Sequence, residues 1–276
     1  MSVTAPPDVL SRDQIEQFWE LGYVVVKSAV SREEAERYRN VILDMLPRDL
    51  HIPAGWSVSG GRIKPYHDVP ERSHTYDTPE LLPLLCNETL YGAAAQLLGS
   101  ERLRVGDGSL GITMRNDAGP ILSQNIHLDA SVPADLPNFL FTQEELQVGG
   151  CYYFTDVLPE GGGIHIVPGG HRIVEEKARA SAEGRKLYRG WKRLDDFPET
   201  VEVTGEAGDF ALLHHLMPHA ASSNRRPVAR VAQFTRWTRV DHAHYPAKPA
   251  APDRYNQAQL AAMTPLGRKL LGVDSW

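Results

Sequence analysis

The stretch that decides the fold is a turn followed by a run of β-forming residues, Gly208-Asp209-Phe210-Ala211-Leu212-Leu213-His214. Short runs of this kind, separated by Gly, Pro and Asp, predict strands. From residue 103 onward, short runs of β-forming residues alternate with turn residues. This pattern predicts eight strands, at residues 103–106, 109–115, 122–130, 147–156, 163–167, 200–204, 209–214 and 229–239. Strands of this number and spacing are typical of a β-sandwich or barrel of the jelly-roll kind.

Helical patterns precede these strands. Ser11-Arg12-Asp13-Gln14 and Ser31-Arg32-Glu33-Glu34 are capping-box sequences, and an apolar stripe of helical period follows each. A short β-branched run at residues 23–26 separates them, and residues 79–98 predict a third helix. The sequence therefore predicts a mainly β fold with flanking helices.

Three further segments are less regular. Residues 47–78 are rich in Pro, Gly and His, which predicts a long irregular segment able to form a lid. Residues 171–198 form a charged insertion of helix and loop, and one helix is predicted near residues 256–271. We expect one domain over residues 1–276, with a mainly helical part and lid (1–100), a jelly-roll core (101–240) and a tail (241–276).

The composition excludes several classes of protein. The chain has 276 residues, 42% of them hydrophobic, two cysteines, eleven histidines and a formal net charge of −6. Two cysteines rule out a disulfide framework, and an acidic chain has no electrostatic basis for binding nucleic acid or anionic membrane. No signal peptide or apolar span is seen, so we expect a cytoplasmic protein.

One histidine and one carboxylate share a face of a predicted strand. His127 and Asp129 are two residues apart, and side chains at i and i+2 of a strand point the same way. Their backbones lie about 6–7 Å apart, so both can reach one ion. With a second histidine they would form a 2-His-1-carboxylate triad, which selects Fe(II) and oxygen chemistry. A single His-x-Asp also arises by chance, so the third ligand matters.

The best candidate for that third ligand is His219, just past a strand and before a polar turn. Four other histidines compete with it: His165, His171, His214 and His215. Eleven residues beyond His219 comes Arg230, at the start of the last strand. Because a guanidinium binds a carboxylate with two parallel hydrogen bonds, an arginine beside an iron site suggests a dicarboxylic cosubstrate. The alternative for Arg230 is an ordinary surface position.

Several ordered motifs give the chain a resemblance to the phytanoyl-CoA dioxygenase family of Fe(II)/2-oxoglutarate-dependent oxygenases. They comprise Leu10-Ser11-Arg12-Asp13-Gln14, Phe18-Trp19-Glu20-Leu21-Gly22-Tyr23-Val24-Val25-Val26, His127-Leu128-Asp129, Gly161-Gly162-Gly163-Ile164-His165-Ile166-Val167-Pro168-Gly169-Gly170-His171-Arg172, Gly208-Asp209, His219, Asn224 and Arg230. The resemblance covers nearly the whole chain. Two positions depart from the family pattern: Gly170 stands where Ser is more common, and Gly162 where Asn is usual.

The resemblance implies a double-stranded β-helix, the cupin-like form of the jelly roll. It implies His127, Asp129 and His219 as iron ligands and Arg230 as the partner of the distal carboxylate of 2-oxoglutarate. Such enzymes use Fe(II), 2-oxoglutarate and O2 and release succinate and CO2. Related halogenases lack the carboxylate, so Asp129 favours hydroxylation or another oxidation of a small molecule, which we expect to be a secondary metabolite.

Other residues are candidates for contacts with cosubstrate or substrate. Asn125 shares the face of His127, and Arg115 aligns with a basic position that the family often uses near the cosubstrate. Arg236 and Phe234 share the face of Arg230 by the period of two. The lid segment adds Trp56, Tyr66 and His67. For each of these, a structural or solvent-facing role is an equal alternative.

Two functions of other classes stay open at the level of sequence. One is a non-catalytic, cupin-like binding protein, and the other is a zinc-dependent hydrolase that uses the same His/Asp/His set. Neither needs a buried arginine that binds a carboxylate, so the environment of Arg230 discriminates. The sequence leaves the substrate and the oligomeric state undetermined.

Overall fold

The computed structural model describes residues 6–46, 61–63, 78–122, 126–128, 137–182, 184 and 198–276. Five predicted site residues lie outside the described residues: Trp56, Tyr66, His67, Asn125 and Asp129. The same holds for most of the predicted lid segment, 47–78.

The described helices and strands follow one another in an order close to that predicted. They are α1 (Arg12–Leu21), β1 (Tyr23–Val26), α2 (Arg32–Asp44), β2 (Gly61–Ile63), α3 (Leu82–Leu85), α4 (Glu88–Leu98), β3 (Leu103–Met114), a 3-10 turn (Gln143–Glu145), β4 (Gln147–Tyr153), β5 (Ile164–Ile166), α5 (Gly170–Ala180), β6 (Val201–Val203), β7 (Phe210–His214), β8 (His219–Ala221), β9 (Arg230–Arg239), α6 (Gln257–Ala262) and α7 (Pro265–Leu270). None of these helices has the length and apolarity needed to cross a bilayer.

The strands form two antiparallel sheets. The larger sheet has the order β1-β7-β4-β9-β3-β2 and the smaller one β6-β5-β8. From the segment predicted as a strand at 122–130, the described residues Leu122 and His127 form isolated antiparallel bridges with Ser222 and His219. This arrangement, with helices against the larger sheet, confirms the predicted mainly β fold with flanking helices.

Two apolar clusters hold these layers together. The cluster between the sheets contains Cys151, Tyr153, Val157, Ile164, Ile166, Val203, Ala211, Leu213, Met217 and Ala232. The opposite face of the larger sheet packs against the helices through a larger cluster that includes Phe18, Ile42, Leu90, Phe210, Val231 and Trp237. Because side chains alternate along each strand, one face of β9 belongs to the helical layer and the other faces the smaller sheet.

The two capping-box sequences near the N-terminus begin helices, as predicted. Ser11 and Ser31 are N-caps of α1 and α2, and both capping boxes are complete. Gly22 ends α1 with φ 81°, a left-handed conformation that glycine adopts without strain. The chain then enters β1, which pairs with β7.

Several boundaries differ from prediction. The segment 47–78 is not wholly irregular, because β2 pairs with β3. The candidates 103–106 and 109–115 are one strand, β3, with a register shift between Asp107 and Leu110 where a turn was expected. The predicted helix at 79–98 is two helices, broken where Asn87 caps the second. The tail also has two helices, because Pro265 starts a new one capped by Thr264.

Gly22 offers a test of this packing. A Cβ placed there would lie 2.4 Å from both His171 Nδ1 and Met217 Cε, in a left-handed backbone conformation. We therefore expect Gly22→Ala to lower the free energy of unfolding by about 1–3 kcal/mol. Denaturant unfolding measures this change. Gly106→Ala is the matched control, since its added Cβ would meet nothing within 4 Å; equal midpoints for both variants would contradict the packing described.

Candidate metal and cosubstrate site

The two predicted histidine ligands pair directly across two strands. His127 and His219 exchange both backbone hydrogen bonds, each with an N···O distance of 2.9 Å. Their ring centroids lie 4.5 Å apart. The structure therefore brings together two side chains that are 92 residues apart in the chain.

The register shows which way these histidines point. His219 lies opposite Ile166 on β5, and directly opposed residues of a sheet share a face. Ile166 belongs to the apolar cluster between the sheets. His219, and His127 opposite it, therefore face the space between the two sheets.

A backbone contact determines the tautomer of His219. Its Nδ1 lies 2.9 Å from the carbonyl oxygen of Met217. A carbonyl can only accept, so Nδ1 carries the proton and donates it. The lone pair then resides on Nε2, the form in which a histidine ligates a metal while its other nitrogen is held by the protein.

The competing histidines are engaged elsewhere. His165 alternates with Ile164 and Ile166, so it faces away from the space between the sheets, and its Nδ1 lies 3.0 Å from Thr200 Oγ1. Nε2 of His171 contacts the carbonyl of Trp19 at 3.1 Å. His214 Nδ1 accepts from the Leu216 amide, and His215 Nδ1 accepts from the Gln147 amide.

The third predicted ligand, Asp129, belongs to a segment that the structure does not describe. Within the described ranges, no group of three or more His, Cys, Asp or Glu side chains could hold a metal ion. The described part of the site thus supplies the histidine pair, and the carboxylate of Asp129 stays a prediction.

Arg230 is buried, and no anionic partner for it is found among the described residues. It is 1% exposed, and its Nε and Nη2 atoms have no hydrogen-bond partner among the described residues. It shares the inner face of β9 with Ala232 and Phe234, and its guanidinium carbon lies 5.9 Å from the centre of the Phe234 ring. Buried charges are normally paired with an opposite charge, and Arg230 has no such partner among the described residues. The site therefore fits a carboxylate ligand.

Neutral groups surround this guanidinium. Burial raises the pKa of the Cys151 thiol to about 12, although Arg230 opposes that shift, and burial likewise raises the pKa of Tyr153. Both side chains are therefore uncharged at neutral pH. They leave the positive charge of Arg230 available to an anionic ligand.

Thr113 is a second polar group at this position, one that the sequence did not reveal. It lies directly opposite Arg230 on β3, and its buried Oγ1 has no partner among the residues described. A Cβ at Gly111 on the same face would lie 3.2 Å from the Phe234 ring and 3.9 Å from Arg230 Nη2, so the glycine keeps this space open. The sequence could have indicated Thr113 only through its position two residues before Arg115, which places both side chains on the same face of a strand.

Arg115, the other predicted basic residue, has a different environment. Its Nε lies 2.9 Å from Asp117 Oδ2, and its side chain is 39% exposed. It therefore already has a carboxylate partner at the surface, and its role at the cosubstrate stays a prediction.

The two ends of the inter-sheet space carry different groups. His219 begins β8, whereas Asn224 lies beyond the other end of that strand and donates to the carbonyl of Thr113, opposite Arg230. An elongated molecule that touched both the histidines and the guanidinium would thus extend along β8. Arg236 lies six residues after Arg230 on the same face of β9, toward the histidine end.

Comparisons with known proteins show the family of the chain. The profile of the phytanoyl-CoA dioxygenase (PhyH) family matches residues 18–232. The chain belongs to this family. A comparison with curated protein sequences gives no match.

Solved structures share the fold at low identity. SnoN, described as a non-heme α-ketoglutarate-dependent epimerase from nogalamycin biosynthesis, is 16% identical over 88% of this chain and 96% of its own, with a TM-score of 0.55. SnoK, the carbocyclase of the same biosynthesis, is 20% identical over 91% and 98%, with a TM-score of 0.54. EvdO2 from Micromonospora carbonacea var. aurantiaca, solved with 2-oxoglutarate, is 18% identical over 89% and 96%, with a TM-score of 0.53.

The buried neutral histidines make the stability of the protein depend on pH. Burial lowers the pKa of His214 well below its usual range, and burial, aided by Arg236, lowers that of His215 to about 3. The unfolded chain takes up protons below pH about 6.5 that the folded chain excludes, so stability is complete above this pH and falls with acidification. Each histidine contributes a slope of up to about 1.4 kcal/mol per pH unit.

Unfolding by denaturant at pH 7, 6 and 5 tests this. We expect His215→Gln to show a shallower loss of stability between pH 6.5 and 5 than the parent protein. Identical slopes in the two proteins would show that His215 is not held neutral by burial.

Proposed function

We propose that the protein is an Fe(II)/2-oxoglutarate-dependent dioxygenase that oxidises an unactivated C–H bond of a small molecule. The observation that carries the proposal is the buried guanidinium of Arg230, without an anionic partner among the described residues, in the same inter-sheet space as His127 and His219. Membership of the PhyH family and neighbours solved with Fe3+ and α-ketoglutarate or with 2-oxoglutarate support it.

In this proposal, His127, Asp129 and His219 hold the iron. The hydrogen bond from His219 Nδ1 to the Met217 carbonyl orients the ring and presents Nε2 to the metal. Arg230 and Thr113 bind the distal carboxylate of 2-oxoglutarate, and Phe234 covers the guanidinium on the same face of β9. Asn125 beside His127 stays a candidate for a further contact with the cosubstrate.

Bound iron, 2-oxoglutarate and O2 supply the oxidation, with release of succinate and CO2. The protein contributes orientation and the exclusion of water. The apolar cluster between the sheets keeps the Arg230 end dry, where a charge-assisted hydrogen bond is stronger than in water.

Hydroxylation is the form of oxidation that we favour, because Asp129 occupies the carboxylate position that halogenases leave open. The structurally similar proteins SnoN and SnoK are an epimerase and a carbocyclase of nogalamycin biosynthesis. This similarity supports a secondary metabolite as the substrate. We place this activity in the cytoplasm.

The environment of Arg230 argues against the two alternative functions. Neither a zinc hydrolase nor a cupin-like binding protein needs a buried cation that binds a carboxylate. Leaving such a charge unpaired costs several kcal/mol, so its presence implies a ligand that compensates it.

Replacing Arg230 tests the cosubstrate site. We expect Arg230→Met to weaken 2-oxoglutarate binding by about 30-fold or more, because it removes one partner of a buried charge pair. The measurement is a titration of the visible absorption band that forms with Fe(II) and 2-oxoglutarate in the absence of oxygen. Arg239→Met is the matched control, since this arginine is on the same strand and already pairs with Asp241.

Thr113→Val sharpens the same experiment. It keeps the shape of the side chain and removes the hydroxyl, so we expect a weaker effect of about 3- to 30-fold. Equal effects of the Arg230 and Arg239 variants would remove the main support for this cosubstrate site.

The metal ligands are tested separately. We expect His127→Ala, Asp129→Ala and His219→Ala to abolish substrate-dependent succinate formation and to lower Fe(II) binding in equilibrium dialysis. His165→Ala is the control, because that ring faces away from the inter-sheet space and contacts Thr200. Undiminished turnover in any one ligand variant would exclude that residue from the iron site.

A further inference from the structure

A short connection, residues 215–218, leads from β7 in the larger sheet to His219, which begins β8 in the smaller sheet. His214, the last residue of β7, lies at the start of this connection. Its backbone amide donates to the carbonyl of Gly22 at 2.9 Å, and on the other side it lies opposite Val148 of β4. His214 is therefore held in the larger sheet from both sides.

Two hydrogen bonds to His214 define the path of the connection. The imidazole Nδ1 accepts from the backbone amide of Leu216 at 3.1 Å, and the backbone carbonyl accepts from the amide of Met217 at 2.9 Å. The side chain and the backbone of one residue thus hold two consecutive amides. The backbone that enters Met217 is consequently fixed relative to the larger sheet.

The carbonyl of Met217 is the group that orients the proposed metal ligand. It accepts from His219 Nδ1 at 2.9 Å, which leaves the lone pair of His219 on Nε2. A series of contacts therefore runs from the His214 imidazole, through the Leu216 amide and the Met217 carbonyl, to the His219 ring.

The environment of the His214 ring keeps it an acceptor at Nδ1. The ring is buried among those of Phe18, Trp19, His171 and His215, with centroid distances between 4.7 and 6.1 Å. Burial is the main cause that lowers its pKa well below the usual range, so the ring is neutral at pH 7. An apolar side chain of similar size would fill the same space but would leave a buried amide without its acceptor.

We propose that His214 is a positioning residue for the metal site. Its Nδ1 holds the 215–218 connection so that the Met217 carbonyl keeps His219 in the tautomer that presents Nε2. His214 itself contacts neither metal nor cosubstrate. The effect on metal binding rests on the proposed function, whereas the effect on the tautomer of His219 does not.

Three substitutions at His214 separate the acceptor atom from the size of the side chain. In His214→Asn, the amide Oδ1 is bonded to Cγ as the imidazole Nδ1 is, so an acceptor stays in the same place. In His214→Gln, the amide oxygen is one bond further from the backbone, and His214→Leu has no acceptor. We therefore expect Asn to preserve the connection, and Gln and Leu to disturb it.

The first measurement needs no metal. Long-range proton–nitrogen NMR spectra of metal-free protein, labelled at its histidine nitrogens, report the tautomer of each ring. Comparison with the His219→Gln protein assigns the His219 signal. We expect the Nδ1–H tautomer of His219 in the parent and in His214→Asn, and a mixture with the Nε2–H tautomer in His214→Gln and His214→Leu.

The second measurement is the affinity for Fe(II), by equilibrium dialysis without oxygen. We expect His214→Gln and His214→Leu to bind Fe(II) about tenfold more weakly, the lower end of the range for groups that orient a metal ligand. His171→Leu is the matched control, because its ring lies 4.7 Å from that of His214, yet its Nε2 contacts the Trp19 carbonyl and not the connection. It should keep the parent tautomer and affinity.

Several results would overturn the proposal. One is an unchanged His219 tautomer in His214→Leu, and another is an equal change in the Asn and Leu variants, which would make ring packing the cause. A change in His171→Leu as large as in His214→Leu would do the same. If the Gln and Leu variants lack a native circular dichroism spectrum, His214→Asn decides alone: the parent tautomer supports the proposal, and a changed tautomer or a lost fold contradicts it.

The two measurements also separate this proposal from the proposed function. If the parent protein does not bind Fe(II), the proposed function fails, yet the NMR comparison still decides whether His214 orients His219. If the parent binds Fe(II) and 2-oxoglutarate and the tautomer is unchanged in His214→Leu, only the positioning role fails.

Discussion

A buried positive charge without an anionic partner among the described residues is the constraint on which the site depends. Arg230 is 1% exposed, and two of its nitrogens have no acceptor there. An isolated charge of this kind is costly to bury, and Ala232, on the same face of β9, belongs to the apolar cluster between the sheets. In the proposed function, the carboxylate of 2-oxoglutarate compensates this cost. Cys151 and Tyr153 are uncharged, so neither side chain compensates the charge of Arg230.

The same inter-sheet space is organised from one end to the other. His127 and His219 pair at one end, and Arg230 with Thr113 lies at the other. The alternation of side chains along β9 then continues the inner face through Phe234 to Arg236. The histidine pair and the buried arginine are thus arranged on two sheets, whose hydrogen-bonded ladders hold the side chains in register.

Glycine decides where this space is open. A Cβ at Gly111 would lie 3.2 Å from the Phe234 ring, so the glycine leaves room for that ring, and Gly106 and Gly149 flank Arg236 in the next part of the sheet. All three glycines lie inside predicted strands, and the sequence assigns them no role. Their function emerged only from the register, because the absence of a side chain matters where another strand places a functional group beside it.

The sequence alone determined the local features: both capping boxes, most strands, and the histidine, carboxylate and arginine positions that match the family motifs. These depend on short-range periodicity and spacing, which a linear chain displays directly. The tertiary structure alone decided that His219, rather than the four other histidines, pairs with His127, that Thr113 faces Arg230, and that Arg115 is paired at the surface. Those outcomes depend on register between strands distant in the chain, since a shift of one residue reverses the face of every side chain.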